Sequence, residues 1–282
     1  MSHAIEHLAR ICNLADWKCV NMAMLTTAID CSQDKSRKYF TMAALLSSAE
    51  EWAIFDQEWR ERLAKDGLPY FHMNPFAHAT THPQKPFDKT WIGQEGRRKA
   101  LMKDLLGIIH SHAWHKFCCI LPMNVLDVMS LDSRRYYYPS LIAFAGGLLW
   151  TDIERWRLRE RFQNQARMVF EQGDEGTGTV IDAFIKATGR TPSFEHKKDI
   201  PEKGIVGFTP LQAADILAYE VQKITQLHEK PRPEHFRTPY MELEKIPGDI
   251  RLLTEEGAMV QDHVLKVLEY FKGNPLGGGK PQ

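Results

Sequence analysis

No apolar run in this chain of 282 residues approaches the roughly 20 residues that a membrane-spanning helix needs. The most apolar stretch, Leu141 to Trp150, is too short and carries Gly146 and Gly147. The first residues also lack the basic region and apolar core of a secretory signal, so the expectation is a cytoplasmic protein with no membrane partner. Charge of one sign is missing too. The 36 Lys and Arg balance 36 Asp and Glu, and the molecule as a whole has no field that would draw it to a polyanion. A locally basic groove is still compatible with that balance. Cysteine is sparse and unpatterned. The five residues Cys12, Cys19, Cys31, Cys118 and Cys119 contain no Cys-x-x-Cys pair, which argues against a disulfide scaffold or a zinc ribbon. No internal repeat is visible. What remains is an ordinary globular composition, 43% hydrophobic and 26% charged, long enough to bury a sizeable core.

The most informative stretch runs from Thr209 to Tyr219. Thr209 suits a helix N-cap and Pro210 the first helical position, where its missing N–H has no partner to lose. Leu211, Ala214, Leu217, Ala218, Val221 and Ile224 then recur at helical spacing. Asp215 stands at the margin of that stripe. A carboxylate there is expensive unless it is hydrogen-bonded, paired or bound to a cation, and spacing alone leaves a structural ion pair as open as a functional ligand.

The rest of the chain reads as alternating strands and helices. Met24 to Asp30 and Tyr39 to Leu46 form a hairpin around a polar turn. Ser48 and Glu51 make a capping box for a helix to Lys65, where Gly67 stops it, with Trp52, Phe55 and Trp59 as core. Leu68 to Met73 is a short strand delivering His72, residues 74–93 a loop, and Gln94 to Ala113 a helix. Lys116 to Leu121 is a strand, 123–139 irregular, and Ser140 to about Gln163 a helix whose four arginines (Arg155, Arg157, Arg159 and Arg161) spread over a solvated surface. Ala166 to Glu171, Ser193 to Glu195 and Ile205 to Phe208 are further strands, and Thr179 to Ala187 a helix. Weaker helices occupy 240–246 and 258–272. These boundaries divide the chain into an N-terminal extension over 1–21, a main domain over 22–230, a C-terminal helical extension over 231–273 and a flexible tail over 274–282. The alternation after the opening hairpin favours an α/β layered fold.

Three acids share one placement. Asp30 ends the first strand, Glu171 ends a later one, and Asp215 lies near the start of the late helix. Strand ends of an open α/β sheet are where ligands usually bind. Carboxylates that converge there repel one another, and a divalent cation, Mg²⁺ or Mn²⁺, is the usual remedy. Asp174 and Glu175 are substitutes for Glu171 as ligands. Two other clusters compete for attention. His110, His112, His115, Cys118 and Cys119 are a dense set of soft ligands, but adjacent residues of a strand face opposite sides, which favours surface histidines and small buried cysteines over zinc. Cys31 lies beside Asp30, whose charge opposes a thiolate, so a thiol nucleophile is not expected.

The order of these features resembles the domain-of-unknown-function 3800 family, a group similar to the ribonuclease H-like (retroviral integrase-like) superfamily. The resemblance covers roughly residues 24–228 and is most specific at Leu211-Gln212-Ala213-Ala214-Asp215-Ile216-Leu217-Ala218-Tyr219. The family's first motif, Asp-Glu-Ser-Gly, corresponds to Asp30-Cys31-Ser32-Gln33, where Asp and Ser match and Glu and Gly do not. Its histidine corresponds to His72 and its strand-end acid to Glu171. The resemblance implies an α/β fold with a ribonuclease H-like mixed sheet flanked by helices over 22–230, with helical additions, and a divalent-metal-dependent nuclease or phosphodiesterase acting on nucleic acid. In that reading Asp30, Glu171 and Asp215 hold Mg²⁺ or Mn²⁺, and His72 orients a water or touches a phosphate. The alternative is a catalytically degenerate relative that serves as a binding or interaction module, favoured by Cys31 in place of an acid and by the zero net charge.

Overall fold

The computed structural model describes residues 25–33, 38–136, 140–172, 191–227 and 237–257, with 181, 182 and 185. The segments 1–21, 258–272 and 274–282 lie outside the described residues, as do Asp174 and Glu175 and all but three positions of the helix expected from Thr179 to Ala187.

β1 (Leu25–Gln33) and β2 (Tyr39–Ser48) form the expected antiparallel hairpin, with Asp30 opposite Ala43. β3 (His115–Pro122) continues antiparallel on the far side of β2. The chain then returns to the other edge of β1, where β4 (Arg167–Glu171) pairs parallel, and β5 (Ser193–Glu195) adds parallel to β4. β6 (Gly248–Leu252) pairs parallel with β3 and completes a mixed six-stranded sheet in the order β5-β4-β1-β2-β3-β6. Because β1 and β4 are parallel neighbours, their carboxyl ends lie side by side, which is what brings Asp30 and Glu171 to one edge.

Helices cover both faces. Among the described residues they include α1 (Ala49–Ala64), α2 (Met73–His78), α3 (Glu95–His112), α4 (Leu131–Tyr136), α5 (Leu141–Arg159), α6 (Pro210–Leu227) and α7 (Thr238–Glu244). The period-2 alternation of the strands divides the interior into two cores. Ala28, Ala43, Leu45, Cys118 and Ile120 face α1, α3 and α6, while Leu25, Ile29, Met42, Ala44, Leu46, Phe117 and Cys119 face α5. A sheet covered on both sides explains why β2 is buried almost without interruption rather than alternating with water. α6 lies across β1 and β2 and buries its whole predicted stripe. α1 starts as the sequence indicates, with the Ser48 hydroxyl accepting from the Glu51 N–H at 3.1 Å. Its Trp52 and Trp59 are fully packed, and the Trp52 indole donates to the Thr26 carbonyl at 2.8 Å, pinning α1 to β1.

Several expectations differ from the structure. Residues 68–72 form no strand. The Phe71 N–H is taken by the Gln212 side chain at 2.7 Å, and the chain enters α2 directly after His72. The stretch expected to be a loop holds α2 and a short 3₁₀ turn, Lys89–Trp91, because Phe76, Phe87 and Trp91 need burial and pack edge to face. The stretch expected to be irregular holds a 3₁₀ turn, Val125–Val128, and α4. Ile205 makes only an isolated bridge to Ile200, so 205–208 is not a strand. Arg157 is not solvated: it is buried, bonds Glu154 at 2.9 Å and donates to the Phe162 carbonyl at 2.5 Å, closing the end of α5. The segment expected as a helical extension supplies α7 and then β6, an integral part of the sheet. Buried Lys116 anchors it by donating to the carbonyls of Ile246 at 2.5 Å and Glu244 at 3.3 Å. At Gly248 a Cβ would lie 2.0 Å from the Lys116 carbonyl oxygen, so only glycine lets β6 approach β3 there.

His115 gives the fold a built-in acid limit. It is 7% exposed, its ring packs 4.6 Å from that of Phe117 and 5.2 Å from that of Trp156, and burial pushes its pKa down to about 4. A histidine with a depressed folded pKa contributes stability that is complete above its unfolded value near 6.5 and is lost as pH falls toward 4. We expect urea unfolding at pH 7 and pH 4.5 to show a smaller acid loss for His115→Phe than for the parent. An identical loss in both would contradict this placement.

Candidate active site

Asp30, Glu171 and Asp215 do converge, but on the ammonium of Lys197. Its Nζ lies 2.7 Å from Glu171 Oε2, 3.2 Å from Asp30 Oδ2 and 3.8 Å from Asp215 Oδ2. Each carboxylate is also fixed by its own element. Asp30, 3% exposed in β1, accepts the Cys31 N–H on Oδ1 at 2.7 Å. Glu171 is the last residue of β4. Asp215, in the second turn of α6, accepts the Met73 N–H on Oδ2 at 2.8 Å, so the start of α2 holds it in place. His72, the residue before α2, has extended backbone and puts Nε2 3.9 Å from Asp215 Oδ2. All four residues expected from the sequence therefore lie in one cluster.

The electrostatics follow from burial and proximity. Burial alone would strip the proton from Lys197, but Asp30, Asp215 and Glu171 outweigh it and hold the ammonium well above its usual pKa. Asp30 moves upward: burial and the nearby Asp215 charge disfavour its carboxylate more than Lys197 favours it. His72 is pushed down to about 4, mainly by burial and then by the charge of Lys197, so its imidazole is neutral at pH 7. The edge thus combines three carboxyl groups, one ammonium and a neutral imidazole. Even with Lys197 charged, the carboxylates leave an excess of two negative charges when all are ionised.

Lys197 is the residue that sequence reasoning missed. The signal available was its position two residues beyond β5, the strand that pairs with β4 and its terminal Glu171. Its backbone is held by a second overlooked residue, Gln212. Gln212 is 1% exposed, and its Nε2 donates to the Lys197 carbonyl at 2.5 Å. Its Oε1 accepts from Trp59 Nε1 at 2.9 Å and from the Phe71 N–H at 2.7 Å. One amide therefore joins α1, the segment before α2, the Lys197 loop and α6. Thr209, expected as an N-cap, sends its hydroxyl instead to Asp56 Oδ1 of α1 at 2.6 Å.

The other candidate clusters are dispersed. Cys118 and Cys119 point into opposite cores. The His112 ring sits between Glu51 at 2.8 Å and Glu58 at 3.2 Å, His115 packs against Trp156, and His110 is exposed on α3. Among the described residues, no three His, Cys, Asp or Glu side chains are grouped as ligands of one ion.

Compared with known proteins, the chain matches no family model, no curated protein and no solved structure.

The hub role of Gln212 has a measurable consequence. In Gln212→Leu the Trp59 indole, the Phe71 N–H and the Lys197 carbonyl all lose a buried partner. An orphaned buried polar group costs about 1–3 kcal/mol, so we expect a loss of at least that size in urea unfolding, with altered Trp59 fluorescence. Stability within error of the parent would contradict the assignment.

Proposed function

We propose that the chain is a ribonuclease H-like hydrolase that cleaves phosphodiester bonds in nucleic acid, with Asp30, Glu171, Asp215, Lys197 and His72 as its working groups. The observation that carries the reading is the convergence of three acids, distant in sequence, on a single cation position at the carboxyl edge of β1 and β4. The mixed sheet with helices on both faces is in keeping with the fold this reading anticipates.

The donor set suits a hard divalent cation in its chemistry: three carboxyl groups that meet at one cation position. Asp30, Glu171 and Asp215 would hold Mg²⁺ or Mn²⁺, with Lys197 as the competitor for the same position. Such an ion supplies Lewis-acid polarisation of a phosphoryl oxygen and lowers the pKa of a water. The chain's own residues do the rest. The Met73 and Cys31 N–H groups fix the directions of Asp215 and Asp30. Neutral His72 offers a ring-nitrogen acceptor beside Asp215 without adding a positive charge there. Lys197, once away from the acids, carries a positive charge suited to a phosphate.

The presence of Lys197 at the centre also favours a second reading, in which the ammonium replaces the ion permanently and the protein is a binding module. Substitution separates the two. Removing one partner from a buried charge cluster costs about 3–5 kcal/mol, so Lys197→Met should be strongly destabilised in EDTA. On the hydrolase reading, millimolar Mn²⁺ restores most of that stability. The parent then cleaves DNA, RNA or an RNA–DNA hybrid with Mn²⁺, and Asp30→Asn and Asp215→Asn each lose at least about 100-fold, as expected for groups that stabilise developing charge. No recovery with Mn²⁺ and no cleavage of any of these would leave the binding module.

A further inference from the structure

Behind α2 a second feature breaks the chain's neutral charge balance. A cavity of about 820 Å³ opens between α3 and α7. Among the described residues, five basic side chains line it, Arg98, Lys99, Lys103, Arg237 and Lys245, against one carboxylate, that of Glu242. That carboxylate is already engaged by Lys245 at 2.6 Å. Lys99 and Lys103 are exposed, and among the described residues neither forms an ion pair. The Nε of Arg98 is buried and has no hydrogen-bond partner among the described residues, its guanidinium lying 5.5 Å over the Phe76 ring. Arg237 is held from below by the fully buried Glu220, 3.3 Å away. Lys245 and Arg237 are thus paired, while Lys99 and Lys103 leave one wall with positive charge that no described carboxylate offsets, a pattern that suits a negative partner.

We propose that this groove binds the phosphate backbone of a nucleic-acid strand and leads it to the carboxylate edge, an inference that rests on the hydrolase reading above. The extent of the wall selects a polyanion over a single phosphate or carboxylate. Lys99, Lys103 and His110 follow the same face of α3 over three turns, about 16 Å of helix. Lys99 and Lys103 are one turn apart, so their charges are spaced for successive phosphates. The floor between them, Met102 and Leu106, is apolar and suits sugar and base edges rather than free ions. The groove and the acids share one residue: Met73 is among those that line the groove, and its N–H holds Asp215.

The test is fluorescence anisotropy with a fluorescein-labelled 20-nucleotide single-stranded DNA and an RNA of the same sequence, in EDTA, over a salt series. The variant is Lys99→Glu with Lys103→Glu, both on the exposed face of α3 and outside the carboxylate cluster. We expect affinity to fall at least about tenfold at low salt, and the slope of log Kd against log salt to shrink by about 1–2 as two phosphate contacts are lost. Turnover of the small diester bis(4-nitrophenyl) phosphate with Mn²⁺ should be unchanged, because that substrate does not span the groove. Equal affinity in parent and variant, or no binding by the parent, would overturn the groove. Loss of binding by the variant, with no turnover of any diester by the parent, would retain the groove as an anion site and remove the hydrolase reading instead.

Discussion

The ammonium of Lys197 among Asp30, Glu171 and Asp215 is the interaction on which the architecture of this edge depends. Three carboxyl groups are brought out of water by β1, β4 and α6, and without a cation their mutual repulsion and desolvation would force the elements apart or leave the acids protonated. Lys197 makes the convergence tolerable. Its position depends in turn on Gln212, whose single amide also satisfies the Trp59 indole and the Phe71 backbone. The acid cluster is thus wired into the core through groups that have no other place to go. A change in the site is felt in stability, and a change in the core is felt in the site.

That arrangement also gives the edge two levels of charge compensation. Lys197 offsets part of the acids' charge, and a proton on Asp30, the carboxyl whose pKa burial raises, can offset more. The groove between α3 and α7 gathers charge of the opposite sign, and Met73 of α2 belongs to both places, lining the groove and holding Asp215. A balanced total charge conceals this division, because a sum over 36 positive and 36 negative groups says nothing about where they lie.

The sheet and its long helices were legible because local pattern and global burial agree. The hairpin of β1 and β2, the Ser48 N-cap of α1 and the apolar stripe of α6 all lie within a few residues of their expected limits, although Glu51, expected to complete a capping box, gives its carboxylate to His112. Glu171 was legible as the last residue of β4, whereas Asp30, expected to end the first strand, lies inside a β1 that runs on to Gln33 and meets Glu171 because the parallel register sets Ile29 opposite Phe170. Lys197 was not, because it lies in an irregular segment where no period announces direction, and a Lys-Lys pair usually means a solvated loop. β6 was missed for a related reason. Its sequence, Gly248 to Leu252, is an exposed edge strand with little β-propensity, and it forms only because Lys116 anchors the end of α7 beside β3. Arg157 was read as surface because alternate arginines look solvated, whereas its guanidinium is drawn in to close the carbonyls at the end of α5.

The central claim, that Lys197 is the charged centre of the carboxylate cluster and yields that place to a divalent ion, is tested most directly by NMR of its side-chain nitrogen. In ¹⁵N-lysine-labelled protein, with Lys197→Met supplying the assignment, the Lys197 Nζ should give an NH₃⁺ signal protected from solvent. That signal should persist beyond the pH at which an ordinary lysine near 10.5 deprotonates. Adding Mg²⁺ should shift it or abolish its protection, while leaving the surface lysines unchanged. A Lys197 signal that titrates as an ordinary exposed lysine, or one that is protected but indifferent to Mg²⁺ at millimolar concentration, would contradict the account.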